Sequence, residues 1–229
     1  MLKRTILLAL LVICFLNLTT VCLANDDARK AIRRGNERVA KAQYQEALRE
    51  YGRVQKTSGD LYATARYNIG VCYYELSRLP EAVAEYEAAI EARGGRYPKA
   101  LYALGIALED LEQWAEAVKA YRKVLEISKG EYIAAYYRLG VIAAGEGNYE
   151  SAVALFREAI KQSKDRFPTS HNNLGVMLAR LGRYGEAERE FEIALEQTSG
   201  KYEDDLHNLA VCRSRLKSAK ADQLALTFK

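Results

Sequence analysis

Histidine and cysteine, the side chains best suited to nucleophilic, acid–base and metal chemistry near neutral pH, are scarce in this chain of 229 residues. It holds two histidines, His171 and His207, and four cysteines, Cys14, Cys22, Cys72 and Cys212. A zinc site needs three or four converging ligands. His171 and His207, with Asp204 nearby, are the closest approach to such a set, and packing or surface lining accounts for them better. No Ser or Cys stands in an arrangement with His and an acid for nucleophilic catalysis. No Gly-rich phosphate loop occurs. We therefore expect no enzyme, no catalytic residue, no metal and no cofactor. The net charge of +4 is too small to argue for a nucleic-acid partner. What stands out is sixteen Tyr against five Phe and one Trp. Tyr carries a broad apolar face and a polar tip, which suits both packing and binding.

The first residues read as an address. Lys3 and Arg4 precede an apolar run from Ile6 to Leu16, and Val21-Cys22-Leu23-Ala24 leads into Asn25-Asp26-Asp27. That is the pattern of a secretory signal, with cleavage expected after Ala24. Two rivals stay open: lipidation at Cys22, for which Thr19-Thr20-Val21 is a poor match, and an uncleaved anchor. Each predicts an extracytoplasmic chain, periplasmic or secreted, with membrane contact only through this segment. Without residues 1–24 the net charge is +2, and Cys72 and Cys212 are the cysteines left.

The elements that position side chains come from a repeat. Gly35, Gly70, Gly105, Gly140 and Gly175 are spaced by 35, as are Ala47, Ala82, Ala117, Ala152 and Ala187. Aromatic columns keep the same spacing: Tyr51, Tyr86, Tyr121, Phe156, Phe191, and Tyr62, Tyr97, Tyr132, Phe167, Tyr202. A third column reads Tyr44, Leu79, Trp114, Tyr149, Tyr184. Within a unit the apolar period is helical, as in Leu101, Leu104, Leu108, Leu111 and then Ala117, Val118, Tyr121, Val124. Each unit is thus a helical hairpin. Pro80, Pro98 and Pro168 fall where helices start, and there the missing N–H costs nothing. A helical Gly costs about 1 kcal/mol against Ala, so the glycine column predicts close helix approach, with the Ala47 column as the opposing surface. The last segment, from Glu203, repeats the first helix alone and carries Ala210 in place of the glycine. It predicts a terminal cap. Arg34 and Arg38 replace apolar residues in the first helix, which therefore buries less.

This pattern resembles the tetratricopeptide repeat, W-x2-L-G-x2-Y followed by A-x3-F. Arg66-x2-Ile69-Gly70-x2-Tyr73 with Ala82-x3-Tyr86 carries it, as does Leu101-x2-Leu104-Gly105-x2-Leu108 with Ala117-x3-Tyr121. The period is one residue longer than usual, and the family's proline near the repeat end is absent. The resemblance implies an all-α, right-handed solenoid: repeats at 28–62, 63–97, 98–132, 133–167 and 168–202, a cap helix at 203–217 and a tail at 218–229. Cys72 and Cys212 then lie four hairpins apart, too far for a disulfide, and are expected as free buried thiols.

The resemblance also implies a groove lined by the first helix of each hairpin and a protein or peptide partner bound in it, in a non-enzymatic cell-envelope scaffold. The positions facing it are Asn36, Tyr67, Asn68, Lys99, Tyr102, Tyr137, Arg138, Asn173, His207 and Asn208. Tyr67, Tyr102 and Tyr137 form either a binding stripe or packing between helices. Asn68, Asn173 and Asn208 bond either a peptide backbone or neighbouring repeats. Asn36, Asn68 and Lys99 match a co-chaperone carboxylate clamp, but Ile32 and Ala103 replace two of its cations, with Arg29 and Arg33 as neighbours that could compensate. An alternative is glycan binding by the tyrosine stripe.

Overall fold

The computed structural model describes residues 25–200 and 203–227. The signal segment at 1–24 and Tyr202 lie outside the described residues, as does the side chain of Asp204. Among the described residues the chain is all-α, without a strand. The helices are α1 (25–39), α2 (Tyr44–Tyr51), α3 (Asp60–Glu75), α4 (Leu79–Ala92), α5 (Pro98–Asp110), α6 (Trp114–Ile127), α7 (Ile133–Gly145), α8 (Tyr149–Gln162), α9 (Pro168–Arg180), α10 (Tyr184–Thr198) and α11 (Glu203–Thr227). A short 3-10 turn, Lys56–Ser58, precedes α3. The chain forms two compact units, Met1–Ala120 and Tyr121–Lys229, with the division inside α6.

In the first unit α1 pairs with α2 and α3 with α4. Ala28, Ala31, Ala47, Tyr51, Val54, Ile69 and Cys72 make one buried cluster there. In the second unit α7 pairs with α8 and α9 with α10, and α11 covers α10. Its core includes Phe156, Leu174, Leu178, Phe191, Leu209 and Cys212. The alanine column is completely buried in all five hairpins.

The glycines oppose a different surface from the one expected. A Cβ placed on Gly35 would meet the Tyr51 ring at 2.3 Å, and one on Gly70 the Tyr86 ring at 2.6 Å. Gly140 meets Phe156, and Gly175 meets Phe191, each at 2.7 Å. The aromatic four residues beyond the alanine sets one ring edge against the glycine, so it is the ring and not the alanine that forbids a side chain. Burying such a ring stabilises by about 1.5–3 kcal/mol, more than the roughly 1 kcal/mol a helical glycine costs.

The hairpin turns share one closure. After each first helix the backbone turns left-handed at Ala42, Ser77, Glu112, Gly147 and Gly182. The next amide then bonds five residues back: Gln43 to the Arg38 carbonyl, Arg78 to Tyr73, Gln113 to Leu108, Asn148 to Ala143 and Arg183 to Leu178, at 2.8–2.9 Å. This is the Schellman ending. It was not legible in sequence because three of the five positions are not glycine. Four of the five second helices end likewise, with Gly95, Gly130, Asp165 and Gly200 bonding back to Ile90, Leu125, Ile160 and Leu195, while α2 ends at Gly52 in the right-handed region.

Pro98 and Pro168 open α5 and α9, and Pro80 sits in the first turn of α4. Two boundaries differ from expectation. Helix α3 begins at Asp60, three residues before the repeat boundary placed at 63. Helix α11 runs on through Thr227, past the boundary placed at 217. Ala210 on α11 is exposed.

Candidate functional site

The inner helices of the first unit are α1, α3 and α5. Asn36 on α1 accepts from the Tyr51 hydroxyl at 2.7 Å and from Asn68 Nδ2 of α3 at 3.4 Å. Tyr67 on α3 packs against Tyr86 and Tyr97, ring centroids 5.8 Å away in both cases. Lys99 on α5 holds its ammonium 4.7 Å from the Tyr67 ring centre, a cation–π contact. Tyr102 is half-buried. Arg29 and Arg33 are exposed and form surface ion pairs with Asp26 and Glu37 on their own helix.

In the second unit the inner helices are α7, α9 and α11. Tyr137 packs on Phe156 at 5.9 Å and Phe167 at 5.2 Å, and its hydroxyl accepts from Asn173 Nδ2 at 3.4 Å. Asn208 Nδ2 donates to Asn172 Oδ1 at 3.1 Å. Arg138 is half-buried and His207 is exposed.

The structure thus joins Asn36 with Asn68, Tyr67 with Lys99, Tyr137 with Asn173, and His207 with Asn208 along α11. The asparagines bond between successive repeats, and the Tyr67 and Tyr137 rings press on the aromatic columns. These side chains fix the inner face in place before any ligand arrives. Tyr67 and Tyr137 are half-buried, with tilted contacts to these rings.

Two further features bear on the face; the first agrees with the packing expected of a histidine. His171 is buried, with Nδ1 2.7 Å from Glu190 Oε2 and Nε2 3.2 Å from Asp165 Oδ1 but out of hydrogen-bond alignment. It is therefore a polar tie within the α9–α10 hairpin, while His207 stands exposed on α11. The second feature is a cavity of about 320 Å3 between α9, α10 and α11, with His207, Asn208, Val176 and Val211 in its wall and Arg180 and Arg215 beside them. The signal for it lay one turn beyond the positions chosen from sequence. That column reads Ala40, Glu75, Asp110, Gly145, Arg180, Arg215, acidic in the first unit and basic in the second.

Cys72 and Cys212 are both buried. Burial and the nearby Glu75 push the Cys72 thiol up to about 11. Cys212 Sγ donates to the Tyr184 carbonyl at 3.1 Å, and burial raises its pKa too. Among the described residues no cluster of three His, Cys, Asp or Glu is arranged to hold a metal ion, and no helix is long and apolar enough to cross a membrane.

A family model described as tetratricopeptide repeat matches residues 26–98 and 137–202, and a second model of that description matches 96–165. The chain is a tetratricopeptide-repeat protein. Solved structures of such repeats superpose on it. A MamA protein does so at TM-score 0.66 with 22% identity, covering 78% of this chain and 96% of its own. The tetratricopeptide-repeat protein YrrB, described as having an unusual peptide-binding site, gives 0.63 and 24%, covering 79% and 91%. A repeat protein from Parabacteroides merdae gives 0.69 and 17%, covering 89% and 80%. No curated protein matches the sequence significantly. At these identities the likeness speaks for the fold, and tetratricopeptide-repeat proteins are typically protein-interaction scaffolds without catalysis of their own.

Proposed function

We propose that this tetratricopeptide-repeat protein captures a peptide segment of a partner protein on the inner faces of its first helices, outside the cytoplasm. The observation that carries the binding face is its pre-organisation. Asn–Asn, Asn–Tyr and Tyr–aromatic contacts tie successive inner helices together, while Val141 and Val211 remain 37% and 47% exposed on that face. A surface already ordered spends little free energy on ordering when the ligand arrives. The peptide-binding site named for YrrB is consistent with this use of the fold.

A photoreactive residue at Val141, with Ala154 on α8 as the outer-face control, tests the face in the native host. The expected result is one dominant crosslinked partner from Val141 and none from Ala154. Equal crosslinking from both would overturn it.

The extracytoplasmic setting rests on the Lys3-Arg4, Ile6–Leu16 and Ala24 pattern. Recovery of the chain in the cytosol with residues 1–24 intact would contradict it.

A further inference from the structure

We propose that the cavity between α9, α10 and α11 takes an acidic, aliphatic segment of the partner, the negative charge coming from Asp or Glu side chains or from a C-terminal carboxylate. This deepens the binding-face reading and rests on it. The walls supply the apolar half. Val176, Ala179 and Val211 line a space of about 320 Å3 over the buried Phe191 ring, and pockets of this size admit ligand side chains. Val211 alone leaves an aliphatic side chain 47% in water.

Arg180 and Arg215 supply the charge. Both line the cavity, both are exposed, and neither forms an ion pair among the described residues. Three neighbouring arginines are already committed: Arg157 and Arg183 to Glu186, and Arg213 to Glu188 and Glu192. No Asp or Glu is among the cavity's described lining residues. Guanidinium groups take carboxylates through paired hydrogen bonds, so two uncommitted ones beside an apolar recess select an acidic–aliphatic sequence over a basic one.

The first unit offers a contrast. A cavity of about 520 Å3 beside α1 is also basic, but its Lys30 pairs with Asp27 and its Arg53 with Glu50. Two of its three cations are thus paired, Arg34 being the exception among the described residues, an acid (Asp27) stands in its lining, and its apolar wall is only Ala28 and Ala31.

The test is fluorescence anisotropy of the protein with labelled ten-residue peptides of three kinds: Leu/Ile with Asp/Glu, Leu/Ile with Lys, and Ser/Gly with Asp/Glu. The first kind is made with free and with amidated C-termini. Expected is binding of the acidic–aliphatic peptides, weakened at least tenfold by the double variant Arg180→Gln/Arg215→Gln and by Val211→Asp. Raising salt should weaken the unsubstituted protein more than the double arginine variant. The free-to-amidated ratio assigns the source of the carboxylate. All three substituted side chains are exposed, and an unchanged urea midpoint confirms folding.

Equal binding of the Lys peptides, or unchanged affinity in the double arginine variant, would overturn the proposal. If Lys99→Gln in the first unit abolishes binding and the arginine variants do not, the peptide-binding reading stands and this site assignment fails. If no peptide binds at all, both fail. Self-association abolished by Val211→Asp would make a second copy the occupant and also overturn it.

Discussion

Gly175→Ala is the sharpest test of the packing. The new Cβ would lie 2.7 Å from Phe191 Cε1, 2.9 Å from Cδ1 and 3.0 Å from Cζ, where ordinary contact is 3.4–4 Å. One edge of the ring must move by several tenths of an ångström. It has little room, because Phe191 is 1% exposed and sits in the same core cluster as Phe156, Leu174 and Leu178. Overpacking of this kind costs about 1–3 kcal/mol, and the better helix propensity of Ala returns about 1 kcal/mol. The net expectation is a loss of roughly 0–2 kcal/mol, and about 1 kcal/mol lowers a urea midpoint by roughly 0.5 M. Gly185→Ala, in open helical space, should instead stabilise by about 0.5–1 kcal/mol. Adding Phe191→Leu to Gly175→Ala should cost less than the two changes summed, with a coupling of about 1 kcal/mol. The assay is urea unfolding followed by far-UV circular dichroism. If Gly175→Ala raises the midpoint as Gly185→Ala does, the ring does not demand the glycine and the argument for the whole column fails.

Other outcomes follow from named contacts. Gly145 and Gly147 are two residues apart and both face open space, but only Gly147 has a positive φ, +76°. Gly145→Ala should stabilise by about 0.5–1 kcal/mol and Gly147→Ala should destabilise by about 1 kcal/mol, read from the same urea curves. His171→Ala should cost about 2–4 kcal/mol, from the lost packing and a stranded Glu190, measured as a lowered unfolding midpoint. Burial raises the Cys72 thiol from 9.0 to about 11 and raises the Tyr51 and Tyr86 hydroxyls as well. The folded state holds these protons more tightly than the unfolded chain. The Cys72 contribution is therefore complete below about pH 9 and is lost as pH rises through 11, so the urea midpoint should fall over that interval, with the tyrosines extending the fall to higher pH. In a Cys212→Ser background Cys72 should label with a thiol reagent at pH 8 at least a hundredfold more slowly when folded than when unfolded.

The hairpin architecture was legible in sequence because it rests on the 35-residue glycine, alanine and aromatic columns, and those are written in residue type. What opposes the glycine was not. Sequence separation alone does not distinguish Ala47 from Tyr51 as its neighbour, since both lie on the inward side of the second helix. The Schellman turns were hidden because Ala42, Ser77 and Glu112 adopt a left-handed backbone that composition does not announce. On the candidate face, Tyr67, Tyr137, Asn68 and Asn208 were found by column, but sequence could not say that their polar groups and rings are already engaged between repeats. Arg180 and Arg215 escaped notice because they stand a turn past the central stripe, and their importance comes from lacking ion-pair partners among the described residues beside an apolar recess whose described lining holds no acid.

The central claim is that the inner faces bind the partner. Amide hydrogen exchange with and without the partner crosslinked from Val141 tests it most directly. The account predicts new protection in α7, α9 and α11 and little change in α8. Protection confined to α8 and α10 would contradict it.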